Sequence, residues 1–258
     1  MKTKQITIVL VFLVLASGGI FWFTTKHAAA PSKSTTNTKT PSSSSSSSAV
    51  KSFDKNQYSL TDPTSIWVVA NKQRPLNPKT YAPSDLVVPN IPLAASTSME
   101  KQVRQATATA LEKMVADAKQ QGAALNLQSG YRSYSFQVSL YNRYVKEQGQ
   151  SVADTQSARP GYSEHQTGFA ADLGSVPHPE CDVEECFGST TEGKWLAANA
   201  YKYGFIIRYP QNMQSVTGYI YEPWHVRYIG VELATEMHNT GVQTLEQFFG
   251  LPDAPDYN

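Results

Sequence analysis

The sequence is poor in cysteine, with two in 258 residues, and poor in net charge, at +1. Two cysteines are too few to build a metal site by themselves. A nearly neutral chain gives no support for nucleic-acid binding. The charge that exists is unevenly placed. Residues 1–50 hold five lysines and no acid, so residues 51–258 carry 17 basic and 21 acidic residues, a net of −4. Also missing is any Ser/Lys or Ser/His spacing that would mark a serine nucleophile.

Charge is absent again from Ile6 to Phe23, an 18-residue apolar run preceded by Lys2 and Lys4. That exceeds the ~7–15 residues of a secretory apolar region and falls within the ~17–25 of a spanning helix. Residues 1–30 are therefore expected to be a signal anchor, with a cleaved signal peptide ending near Ala28-Ala29-Ala30 as the alternative. No cysteine lies near the run, which excludes a lipoprotein anchor. Residues 31–50 have almost no apolar side chains and include an unbroken serine run, Ser42 to Ser48. Such a segment buries too little surface to offset the entropy of ordering, and is expected to be a flexible linker. About 200 residues remain, 51–258, enough for one domain with its own core.

Within that domain Pro75, Pro78, Pro83, Pro89 and Pro92 argue against long regular elements, so an arm with a short strand near 66–69 is expected. Thr97-Ser98-Met99-Glu100 spells a capping box, predicting a helix in which Val103, Ala106, Ala110, Met114 and Ala118 face inward until Gly122. Ala124 to Gln128 alternates as a strand. Helices are predicted over 135–148 and from Thr191 to Gly204. Strands are predicted over 205–208, 219–221 and 226–229, and two short helices over 231–249 split at Gly241. The fold class is α+β, a small antiparallel sheet with flanking helices.

Two stretches carry chemistry. Ser163-Glu164-His165-Gln166-Thr167-Gly168-Phe169-Ala170-Ala171-Asp172 places a histidine and a carboxylate near small residues at alternate positions. If Gly168 to Gly174 is extended, Gly168, Ala170 and Asp172 share a face. Glu222-Pro223-Trp224-His225 adds a second imidazole and a second carboxylate, and Pro223 bars the helical form of a Glu-x-x-His motif. His165, Asp172 and His225 together form a three-ligand N/O set with a fourth position open to water, which suits Zn2+ and also admits iron or manganese. His178 and His238 read as surface residues.

Ser163-x-His165-x6-Asp172 followed by Glu222-x-x-His225, with Ser129-Gly130-Tyr131-Arg132-Ser133 upstream, resembles the VanY-type D-alanyl-D-alanine carboxypeptidases over roughly residues 60–232. These zinc peptidases share a fold with the VanX dipeptidases and the hedgehog signalling domain. The resemblance implies zinc on His165, Asp172 and His225, Glu222 as general base, and Arg132 stabilising the oxyanion or binding substrate carboxylate. It also implies Gln137 near the substrate. Ser163 and a tyrosine, Tyr131 or Tyr134, are candidates to hold the terminal carboxylate. Asn71 to Leu76 matches an arm that packs on the family's sheet. The implied substrate is a peptidoglycan stem peptide losing its C-terminal D-alanine. L,D-carboxypeptidases sharing Ser-Glu-His-Gln-Thr-Gly are the nearest alternative. A non-catalytic zinc-containing wall-binding module and a cross-link endopeptidase stand further off. Export makes a disulfide between Cys181 and Cys186 the expectation over a metal pair. The expected setting is the outer face of a Gram-positive-type envelope, held to the membrane by the N-terminal segment, as a monomer.

Overall fold

The structure, a computed structural model, describes residues 53–258, so the expected anchor and linker lie outside the described residues. In chain order the elements are β1 (Leu86–Val87), β2 (Val103–Arg104), α1 (Gln105–Gln120), β3 (Leu125–Ser129), α2 (Tyr134–Gln148), α3 (Gln150–Gln156), β4 (Ala170–Ser175), α4 (Thr191–Asn199), β5 (Phe205–Tyr209), α5 (Gln214–Thr217), β6 (Glu222–Tyr228), α6 (Val231–Thr240) and α7 (Leu245–Phe249). β1 and β2 form a small hairpin-like pair. The main sheet is antiparallel in the order β3-β4-β6-β5, which agrees with the predicted class.

Strand alternation divides the sheet into two unlike faces. Leu125 and Leu127 of β3, Ala171 and Leu173 of β4, Phe205 of β5 and Trp224 and Val226 of β6 turn to one side. There they meet Leu111, Met114, Val115 and Ala118 of α1 and Leu196 of α4. The intervening residues include Asp172, Arg208, His225 and Arg227, all buried. This second face is polar, and the arm and the segment before β4 cover it. A separate cluster holds α6 and α7 to the arm. Trp67 and Val69 pack on Ile229, Leu233, Met237 and Phe248, and Trp67 Nε1 donates to Ile229 O at 3.0 Å.

Several local expectations are corrected. Residues 66–69 form no strand; Trp67 to Ala70 run as buried irregular chain. Half of the capping box forms, with Glu100 N donating to Thr97 Oγ1 at 3.1 Å while Thr97 Oγ1 donates to Glu100 Oε2 at 2.9 Å, but it closes only a turn. The chain then extends as β2, where Val103 sits in the core, and α1 starts at Gln105 with Ala106 exposed. Gly168 lies outside β4: it ends a 3-10 turn, Glu164–Thr167, with φ 73°. A side chain there would press on Arg104. Tyr219 to Tyr221 form no strand, because Ile220 N donates to Thr155 O and β6 begins only at Glu222. The α3 helix was not anticipated.

Candidate metal centre and active site

The two central strands bring the site together by register. Asp172 of β4 stands opposite His225 of β6, and Ser129 of β3 stands opposite Asp172 on the other side. Glu222 and His225 are three apart, an odd spacing that in a regular strand would put them on opposite faces. Pairing to β5 is irregular here: Val226 meets Ile207 and Glu222 meets Tyr209, so four steps on β6 match two on β5. The slack bulges β6 over 223–225 and re-aims its side chains. Glu222 Oε2 thereby lies 3.6 Å from His225 Nδ1.

His165 comes from the 3-10 turn before β4. Its Nδ1 lies 2.7 Å from Gly130 O and donates to it, which leaves the Nε2 lone pair free for the pocket. Arg132 N donates to His165 O at 3.3 Å. The two motifs are thus sewn together through backbone. Gly130 is required for this: a Cβ would collide with the carbonyls of Gln102 and Glu100. The neighbouring motif residues build the turn. Gln166 Nε2 donates to Lys79 O and Tyr81 O, at 2.7 and 2.9 Å, and fastens the arm. Thr167 Oγ1 donates to Glu164 O at 2.6 Å.

The three nearest groups converge. His165 Nε2 is 3.3 Å from Asp172 Oδ2 and 3.3 Å from His225 Nδ1, and His225 Nδ1 is 3.1 Å from Asp172 Oδ1. Among the described residues, these three form a buried cluster able to hold a metal ion, with their ligand atoms within 4.8 Å of one another. Asp172 Oδ1 has no hydrogen-bond partner despite its burial. Two imidazole nitrogens and a carboxylate aimed at one point fit a divalent metal of the zinc type.

The electrostatics are those of a dry, charged pocket. Burial, with the charge of Arg132, lowers His165 to about 4. Burial opposes ionisation of Asp172, but both imidazoles outweigh it and hold the carboxyl well below its ordinary range. Burial likewise works against His225, yet the surrounding carboxylates of Asp172, Glu164 and Glu222 raise it to about 9. Glu222 is 7% exposed, and burial together with the charge of Asp172 raises it to about 8 against the pull of His225 and Arg132. A cation held beside it would draw that carboxyl back down.

The site opens into a small cavity of about 80 Å³ whose walls include Arg132, Gln137, Ser163, Tyr209, Tyr219 and Glu222. Arg132 Nη2 lies 3.4 Å from Asp172 Oδ2, and its Nε is buried without a partner. Gln137 donates to Ala158 O at 2.7 Å and keeps an unpaired Oε1. Tyr131 and Tyr134 are not among the lining residues; Tyr144, Tyr209 and Tyr219 supply the aromatic walls instead. Cys181 and Cys186 are disulfide-bonded. The loop they close presents Val183 to the cavity mouth, anchored by Asp182, which accepts from Ser175 N and Gln128 Nε2. His178 is exposed and lies apart from the site; His238 stacks on Tyr201.

The family model of VanY, D-alanyl-D-alanine carboxypeptidase, matches residues 100–231. The Bacillus subtilis (strain 168) protein YodJ, which bears a provisional carboxypeptidase name, is 43% identical over 192 residues, 74% of this chain and 69% of its own. Among solved structures, the LdcB LD-carboxypeptidase, described with its peptidoglycan recognition, is 42% identical with a TM-score of 0.68, covering 74% of this chain and 88% of that one. The vancomycin resistance D,D-pentapeptidase VanY, solved with Zn(II), is 28% identical with a TM-score of 0.57, covering 70% and 97%.

Proposed function

This chain belongs to the VanY family of D-alanyl-D-alanine carboxypeptidases, and from that premise we propose that it is a zinc carboxypeptidase releasing the C-terminal D-alanine of peptidoglycan stem peptides. The observation that carries the reading is the convergence of His165, Asp172 and His225 with an uncommitted carboxylate, Glu222, and an arginine, Arg132, at one small cavity. A structural metal site would need neither of the last two. A bound zinc ion supplies Lewis acidity and acidifies water at neutral pH.

The residues divide the remaining work. Glu222 takes a proton from the attacking water as its oxygen adds to the scissile carbonyl. The carbonyl oxygen gains negative charge, and the Arg132 guanidinium faces it, worth about 3–4 kcal/mol for a well-placed donor. As the C–N bond breaks, Glu222 returns the proton to the departing amine. Gln137 offers its unpaired Oε1 to a substrate N–H, and Ser163 offers a hydroxyl to the terminal carboxylate. The narrow cavity suits one small terminal residue and disfavours an open endopeptidase groove. Residues 1–30 would hold the domain outside the membrane, with 31–50 as the tether.

The bond proposed is the L,D bond of a stem tetrapeptide, supported by the 42% identity to LdcB against 28% to the zinc-bound VanY. The D,D bond of a pentapeptide is the second reading, supported by the description of the matching family. Stem tetrapeptide and pentapeptide, incubated separately with the zinc-loaded chain and followed by mass, separate the two. Loss of one D-alanine from the tetrapeptide is expected. A pentapeptide trimmed only to tetrapeptide moves the assignment to the D,D bond.

A further inference from the structure

Glu164 occupies the variable position of the Ser-x-His motif, yet its side chain is fully buried behind the site. Its Oε1 accepts Arg208 Nε and Arg227 Nη1, both at 2.8 Å. These arginines are themselves fixed. Arg208 forks onto Glu246 at 2.7 and 2.9 Å, and Arg227 Nη2 donates to Ile66 O and Val68 O of the arm at 3.0 and 2.8 Å. Two carboxylates and two guanidiniums balance in charge, and the Glu164 carboxylate cannot turn. Its second oxygen, Oε2, points at His225 Nε2, 3.7 Å away. Neither atom has another hydrogen-bond partner, and both are buried.

A metal-binding imidazole performs best when its other nitrogen donates to a fixed acceptor, which sets the tautomer and ring orientation and raises ligand basicity. His165 has such an acceptor in Gly130 O. We propose that Glu164 is the equivalent positioning residue for His225: Oε2 accepts the Nε2 proton, and Nδ1 is thereby presented to the metal. The 3.7 Å gap is wider than a hydrogen bond, and a small turn of the ring closes it. The buried arginines exist to hold that oxygen still, so the arm contributes to the site through Arg227 without touching it.

This inference rests on the metal reading of the site, and its readout is metal affinity, independent of peptide cleavage. Zinc dissociation constants of the full chain are measured by chelator competition for wild type, Glu164→Gln and Glu192→Gln. Glu192 is an equally buried carboxylate that accepts from Ala124 N and Ser175 Oγ, away from the imidazoles. The expected result is 10–100-fold weaker zinc binding for Glu164→Gln and less than threefold for Glu192→Gln, at comparable thermal stability. Should Glu164→Gln fail to fold, ¹⁵N-imidazole spectra of the zinc-loaded wild type decide. They should show His225 with Nδ1 on the metal and an exchange-protected Nε2 proton. Metal on Nε2, equal weakening in both variants, or a wild type that binds no zinc would overturn the assignment. A chain that binds zinc as described but cleaves no peptide leaves it standing and overturns the peptidase reading instead.

Discussion

Replacing Glu222 with glutamine should lower turnover and raise the stability of the metal-free chain together. The side chain keeps its size and loses its charge. As the general base, its loss is expected to cost about 10²–10⁴ in kcat, or roughly 3–5 kcal/mol of barrier. The stability effect has the opposite sign. Glu222 titrates near 8 in the folded chain against an ordinary 4.5, so the folded state holds a proton that the unfolded state releases. Below pH 4.5 both states are protonated and the carboxyl costs nothing. Between 4.5 and about 8 the cost grows with pH, and at 1.36 kcal/mol per pH unit it reaches about 3 kcal/mol at pH 7. Glutamine has no such term. Urea unfolding of both proteins in chelator, at pH 4.5, 6 and 7.5, measures the difference. The variant should gain on the wild type steadily with pH. A variant that retains turnover within tenfold, or whose stability relative to wild type is flat with pH, would refute the reasoning.

Three further outcomes are expected. Gly130→Ala should drive the Ser129–Arg132 backbone off residues 100–102, costing about 1–3 kcal/mol of stability and weakening zinc binding at least tenfold, read by calorimetry, since Gly130 O orients His165. Arg132→Ala should lower kcat by about 10²–10³ while leaving the zinc dissociation constant within threefold; parallel loss of both would place Arg132 in metal binding instead. In acid the metal-free chain should weaken as pH falls below 4.5. Burial alone would raise Glu164 and Glu246, but their arginines hold both lower than in the unfolded chain. Their contribution is complete above 4.5 and is lost as pH falls towards the folded values. Urea midpoints that stay flat from pH 6 to 3 would contradict this.

The cluster of His165, Asp172 and His225 was legible because metal-binding chemistry restricts residue type and the motif spacing survives in one dimension. Asp172 and His225, 53 positions apart, are register partners, so strand pairing explains why two separate motifs make one site. The supporting network was not legible. Arg208 and Arg227 look like ordinary strand residues, and only their apolar neighbours, Phe205 to Ile207, Tyr209, Trp224 and Val226, hint that a buried carboxylate must face them. The wrong local expectations share one cause. Glu100 N makes its capping hydrogen bond to Thr97 Oγ1, but the packing of Val103 then extends the chain. Tyr219 to Tyr221 has the composition of a strand, but Ile220 N is taken by Thr155 O. In each case a tertiary partner overrode a local preference. Tyr131 and Tyr134 are candidates for the terminal carboxylate by side-chain chemistry alone, but Tyr209 and Tyr219 take the cavity wall.

The most direct test is D-alanine release from a stem tetrapeptide by the full chain, measured after chelator stripping and again after zinc is restored. A metallocarboxypeptidase built on His165, Asp172 and His225 predicts release that vanishes on stripping, returns with one equivalent of zinc, and stays absent in Glu222→Gln despite full zinc loading. Release that survives stripping, or a zinc-loaded Glu222→Gln chain as active as wild type, would contradict it.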